Sequence, residues 1–222
     1  MLLCMKNYSQ FFSLAFISMF LTHLSFPEYA AADMPGNETD KLALLAFKSQ
    51  ITEDSLGVLA SSNNSFHFCN WTGVTCSNEQ KGVTGLNLNG KRLAGTLSSD
   101  VGNFLVIKLL DLSGNSFHGE ISPELGNLGM IQNLNLSNNL LGGVIPSDLS
   151  NCSSLTSLAL DHNYLIGQVP PELGSLSELR KLYLGSNNIT GSVPASLGNL
   201  TSLQELDMSY NHLKGEIPRT IA

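Results

Sequence analysis

Ser177–Leu200, SELRKLYLGSNNITGSVPASLGNL, decides the fold, because the residues on both sides repeat it. In steps of 24 residues the copies are Lys81–Phe104, Leu105–Leu128, Gly129–Cys152, Ser153–Leu176, and Thr201 to the end. Each opens with an alternating strand pattern. The residues expected to point inward are Leu86/Leu88, Leu110/Leu112, Leu134/Leu136, Leu158/Leu160, Leu182/Leu184 and Leu206/Met208. Alternation with period two in side-by-side copies predicts a parallel sheet with strands about 4.8 Å apart. Six coils then span on the order of 25–30 Å. Burying one Leu-sized side chain is worth roughly 1.5–3 kcal/mol, so a coil holds its shape only when neighbours cover it.

The residues after each strand explain the turn. Asn115, Asn139, Asn163, Asn187 and Asn211 recur at one slot, where a buried amide can pair with the turn's backbone and form a ladder. Lys91 holds that slot in the first copy, next to the preceding segment. Gly95, Gly119, Gly143, Gly167, Gly191 and Gly215 follow, where φ must be positive or a side chain would crowd. Pro146, Pro170, Pro194 and Pro218 then set extended backbone, with Ser98 and Ser122 in their place in the first two copies. A period in the twenties with an LxxLxLxxN core is the mark of a leucine-rich-repeat solenoid, an α/β repeat fold. Such a fold offers a binding face rather than a catalytic pocket.

The chain of 222 residues is 42% apolar and only 13% charged, with formal charge −7. So few Lys and Arg argue against nucleic acid or an anionic membrane surface as partner. Lys6, the apolar run Phe11–Phe26 and the small residues Ala30–Ala32 read as a secretory signal over residues 1–32. Removing it leaves the charge unchanged, since Lys6 and Glu28 cancel. No later stretch is apolar enough to span a bilayer, which needs about 20 residues. The expected location of the mature chain is therefore secreted and extracellular.

Cysteine usage agrees with that compartment. Cys4 leaves with the signal, while Cys69 and Cys76 in CNWTGVTC can close a small disulfide loop. Cys152 takes the slot of Phe104, Leu128, Leu176 and Leu200 and reads as a small buried hydrophobe. Asn-X-Ser/Thr sequons at Asn37, Asn63, Asn70, Asn135, Asn151, Asn188 and Asn199 are glycan candidates. Asn135 falls at an outward slot of its strand.

Residues 33–80 read as a cap and residues 81–222 as six repeats, the last two residues short of its period. Thr39-Asp40 before KLALLAFKSQI is expected to start a helix, with Asp40 accepting the first free N–H groups and Leu44, Phe47 and Ile51 sharing a face. Ser55–His67 is expected to be a loop. Such a cap would cover the first coil's apolar end and strand edge.

ALLAFK, the CxWxGVxC segment and 24-residue copies ending in GxIPxxLGNL together resemble plant leucine-rich-repeat receptor-like proteins, over Asp40 to Ile221. The chain looks most similar to ectodomains of receptor-like kinases of the immune-receptor kind, which sense bacterial peptides. That resemblance implies a peptide or protein ligand on the concave face, and a co-receptor ectodomain as a further partner. It also implies more copies, a membrane span and a kinase in a longer receptor, and hence a location in the apoplast, or at the outer face of the plasma membrane as part of such a receptor. The family usually carries a Trp before the cap cysteines, where Ser62 stands here.

No catalytic, metal or cofactor constellation stands out. The Gly-Asn-Leu and Gly-Ser-Leu triplets recur at one slot without a GxxxxGK[ST] run, and the histidines are scattered. The chain is read as no enzyme. The ligand-binding candidates lie on the outward, concave side of the strands: Asp161, His162, Lys181, Tyr183, Asp207 and Tyr210, with Tyr164 and Arg180 nearby, where tyrosines alternate with both signs of charge. Two other readings carry the same repeats: a secreted inhibitor similar to plant polygalacturonase inhibitors, and a small co-receptor-like scaffold.

Overall fold

The structure, a computed structural model, describes residues 36–62, 67–77 and 82–220. The signal segment 1–32 lies outside them, as do the side chains of Asn37 and Asn63. In the cap come helix α1 (Gly36–Ser49), β1 (Ile51–Asp54) and β2 (Val74–Ser77). The coils supply β3 (Gly82–Asn87), β4 (Leu93–Thr96), β5 (Leu109–Asp111), β6 (Ser116–Glu120), β7 (Asn133–Asn135), β8 (Leu140–Gly142) and β9 (Ser157–Ala159). They continue with β10 (Lys181–Tyr183), β11 (Thr190–Gly191), β12 (Glu205–Asp207) and β13 (His212–Leu213).

The concave sheet runs β12-β10-β9-β7-β5-β3-β2, in sequence order, and is parallel up to β3. Its register keeps the 24-residue period, with Leu134 beside Leu158 and Leu182 beside Leu206. The inward leucines of the first five coils are buried, whereas Leu206 and Met208 in the last coil are partly exposed. Antiparallel β2 pairs with β3, so the cap closes that edge of the sheet. The Cys69–Cys76 disulfide fixes the start and the strand of this segment seven residues apart.

Behind each strand the ladder asparagines do what their slot requires. Asn163 Nδ2 donates to the carbonyls of Leu136, Leu160 and Asp161, while its Oδ1 accepts from Leu141 N–H at 3.0 Å. Asn139 and Asn187 make the same four bonds one coil earlier and later. The Gly95-to-Gly215 series has positive φ throughout, and Pro146, Pro170 and Pro194 are extended.

A second sheet, β1-β4-β6-β8, was not expected from the strand pattern. It is parallel except at β1, which pairs antiparallel with β4. Short 3-10 segments such as Pro123–Asn127 and Pro171–Ser175 complete the convex side. There Gly102, Gly126 and Gly174 touch the next coil: a Cβ at Gly126 would lie 2.3 Å from the Asp148 carbonyl oxygen. The recurring Gly-Asn-Leu triplets thus serve coil stacking.

The cap departs from expectation in three respects. The helix begins at Gly36, so Asp40 lies inside it and does not cap it. Ile51 leaves the helix to open β1, while Leu44 and Phe47 are buried as expected. The expected loop holds a 3-10 turn, Val58–Ser61, whose amides at Val58 and Leu59 bond the Asp54 carboxylate. Ser62 is buried, and its carbonyl accepts from Lys48 Nζ.

Asp40 joins cap to solenoid instead. Its Oδ2 accepts from Val83 N–H at 2.6 Å, across 43 residues, and it is 1% exposed. Burial pushes its pKa above the ordinary carboxylate value, opposed by the amides of Val83 and Leu105. A folded pKa above the unfolded one means the native state holds the proton more tightly. The contribution to stability is then largest below the unfolded pKa and falls as pH rises through the folded one. Asp40→Asn removes that titration while keeping an acceptor. In urea titrations from pH 3.5 to 7, the variant's stability relative to the parent is expected to rise with pH; a constant difference would refute the linkage. Asp40→Ala strands the Val83 amide and should cost about 1–3 kcal/mol.

A candidate ligand-binding face

The outward slots of the concave strands differ along the solenoid. Coils one to three present Gly85, Asn87, Leu109, Asp111, Ser113, Asn133, Asn135 and Ser137, most of them small and neutral. Coils four to six present Asp161, Lys181, Tyr183, Glu205 and Asp207. The two halves share one backbone frame, so the difference lies in side-chain chemistry alone.

Lys181, Tyr183 and Glu205 form one unit. Lys181 Nζ sits 2.7 Å from Glu205 Oε1, and the Tyr183 hydroxyl donates to Glu205 Oε2. The strand register places Lys181 directly beside Glu205. The Lys181 and Tyr183 hydrogen bonds hold the Glu205 carboxyl below its ordinary pKa, and Glu205 raises the pKa of both partners. These groups are solvent-exposed, so the contacts orient side chains more than they stabilise the fold.

Asp161, His162 and Asp207 form a second unit around Gly185. His162 Nδ1 lies 2.9 Å from Asp161 Oδ2. The Asp207 carboxylate leans over Gly185, where a Cβ would meet its Oδ2 at 2.8 Å. Asp207 accepts the Ser209 N–H at 2.8 Å, and the Ser209 bonds, with His162 nearby, keep its pKa low. Neither Asp161 nor Asp207 has a Lys or Arg ion pair among the described residues.

The structure therefore brings together Lys181, Tyr183 and Asp207 on β10 and β12, with Asp161 two residues past β9, and sets Arg180, exposed, just before β10. His162 and Tyr210 are not strand residues: both sit at a left-handed corner, φ 55° and 52°, shared with Gly90, Gly114, Asn138 and Ser186. Tyr164 belongs with the second layer, its N–H bonded to Leu141 O, beside exposed Leu140 and Ile166. Glu205 was missed, although it follows Lys181 by one 24-residue step. Cys152 is buried, its thiol directed at Leu125 O and its pKa pushed up to about 11 by burial, as a small hydrophobe requires. No helix among the described residues is long and apolar enough to cross a membrane, and they hold no metal-binding group of three.

Comparison with known proteins agrees with this architecture. The leucine rich repeat N-terminal domain family matches residues 37–77, and leucine rich repeat families match 107–128, 130–152 and 153–213. The Arabidopsis thaliana LRR receptor-like serine/threonine-protein kinase EFR is 51% identical over 76 residues, 34% of this chain. The matched stretch spans only 7% of that relative's length. Among solved structures, a chain of the BIR3–SERK2 complex from Arabidopsis thaliana is 32% identical with TM-score 0.71, over 81% of this chain and 97% of that one. The ectodomain of the Arabidopsis thaliana receptor kinase GASSHO1/SCHENGEN3, solved with CASPARIAN STRIP INTEGRITY FACTOR 2, is 37% identical with TM-score 0.78. That match covers 82% of this chain and 22% of the other. With this cap, these coils and these likenesses, the chain belongs to the plant leucine-rich-repeat receptor-like family, as an ectodomain.

Proposed function

We propose that this chain recognises a peptide or protein ligand outside the cell, through the concave strands of coils four to six, in defence or developmental signalling. The observation that carries the proposal is the cluster of charged and aromatic residues Lys181, Tyr183, Glu205 and Asp207 on the strands of coils five and six, with Asp161 beside them in coil four. Lys181 is engaged by Glu205, and Asp161 and Asp207 stand near the Tyr183 ring with no Lys or Arg ion pair among the described residues. A ligand with a basic group next to an apolar or aromatic residue fits that pattern. Residues 1–32 act as the leader, 33–80 as the cap and 81–222 as the coils. A solved relative, the Arabidopsis receptor kinase HAESA bound to a peptide hormone and a co-receptor, supports both partner classes.

The test is selection of peptides from a random library by the secreted full chain. Truncating an anchor in a peptide site costs at least about tenfold in affinity. Tyr183→Ala and Asp207→Ala are each expected to show that loss, and Glu124→Ala on the convex side none. Equal affinity across all three variants would overturn the proposal. Inhibition of a fungal pectinase by the same protein would favour the inhibitor reading instead.

A further inference from the structure

The sequons with described side chains fall on different surfaces. Asn70 lies in the cap, Asn151 and Asn199 end 3-10 segments of the convex side, and Asn188 follows a ladder residue next to the second layer. Asn135 alone among them occupies a concave strand, β7, between Asp111 of β5 and Ala159 of β9.

Its side chain is held in one orientation. Oδ1 accepts both the Ser137 N–H at 3.2 Å and the Ser137 hydroxyl at 2.5 Å. With the oxygen held back against its own strand end, the other arm of the planar amide, Nδ2, faces away from those bonds. The neighbours at that level are small: Asn133 and Ser157 on one side, Ser113 and Ser137 on the other. By register the nearest bulky outward residue is Leu109, one strand across and paired with Asn133, while Tyr183 stands two strands away on the other side, at about 10 Å.

We infer that Asn135 carries an N-linked glycan that fills the concave face over coils two and three, and so confines ligands to coils four to six. In the transfer, the Asn135 amide nitrogen displaces a lipid diphosphate from the anomeric carbon of the donor oligosaccharide. The new C–N bond replaces the C–O bond to phosphate, and the amide gives up one proton. The glycan is bulky and hydrophilic, and at this slot it has only the concave opening to occupy. Apart from Leu109, the residues of coils two and three on this face are short and leave room for it. The confinement part rests on the ligand reading above; the modification does not.

The experiment uses the full chain secreted from plant cells. Enzymatic deglycosylation in heavy-oxygen water followed by peptide mass mapping is expected to mark Asn135 as modified, and Ser137→Ala to lose one glycan's mass. Shielding is read separately, with a maleimide-polyethylene glycol probe on Asn133→Cys and on Ser209→Cys; buried Cys152 does not compete. Labelling at Asn133→Cys should be severalfold slower than after glycosidase treatment of the same folded protein, and labelling at Ser209→Cys should be unchanged by it. An unmodified Asn135 overturns the inference outright. A modified Asn135 with equal labelling rates before and after treatment overturns the confinement. Failure of Tyr183→Ala to weaken peptide binding bears on the ligand reading alone.

Discussion

Asn163→Ala is expected to lower the unfolding free energy by about 3–5 kcal/mol, counting about 1–3 kcal/mol for each badly stranded buried group. The variant loses one acceptor and three donated bonds at once: Leu141 N–H from coil three, and the carbonyls of Leu136, Leu160 and Asp161. The site is 7% exposed, so water cannot replace them cheaply. Asn163→Asp keeps the acceptor but turns a second oxygen toward three carbonyls, and should be no better. At the solenoid ends Asn115 and Asn211 are only half-buried, and their alanine variants should cost less. Urea unfolding followed by circular dichroism checks the ranking. Because each coil leans only on its neighbours, the Asn163→Ala transition should also broaden, as coils four to six separate from the rest. Equal losses at Asn163 and Asn211 would show that the ladder is not the source of the stability. The variant also loosens the turn beneath Asp161 and His162, so the proposed binding face and the fold would weaken together.

The sequence made the solenoid legible because its period converts one decoded copy into six. Once Leu182/Leu184, Asn187, Gly191 and Pro194 are understood, the same slots elsewhere need no separate argument. The left-handed corner escaped notice because only Gly90 and Gly114 declare it; Asn138, His162, Ser186 and Tyr210 do not. That is why His162 and Tyr210 were assigned to the strand face. The second sheet escaped because its strands are short and its partner β1 lies in the cap, joined by long-range antiparallel pairing. Asp40 has the same cause: an acidic residue at the start of an apolar run normally signals a cap, and only the fold brings Val83 to it. On the binding face, residue type and slot were legible, but partnership was not. Glu205 became visible only when register set it beside Lys181 and Tyr183.

Phe117→Ala should be as severe as the loss of Asn163, but beside the cap and not in the middle of the solenoid. Phe117 is fully buried, and its ring centroid lies 5.9 Å from that of Phe47, tilted by 44°. Phe47 belongs to α1, so the ring pair ties the cap helix to the second coil, past the first. Gly95 lets them meet: a Cβ there would lie 2.1 Å from the Gln50 carbonyl oxygen, so only a bare backbone admits the end of the helix. Removing a buried Phe costs about 3–5 kcal/mol, including the ring contact worth about 0.5–1.5 kcal/mol. The equivalent slots hold Leu141, Leu165 and Ile189, which predicts a milder Phe117→Leu, at about 1.5 kcal/mol or less. A double-mutant cycle with Phe47→Ala separates the two contributions and should return a coupling of about 0.5–3 kcal/mol. A coupling near zero would mean that cap and coils fill their cores independently. The Val83–Asp40 bond and the β1–β4 pairing would then hold the cap in place without the rings. A clear coupling places the ring pair among the contacts through which the cap stabilises the first two coils.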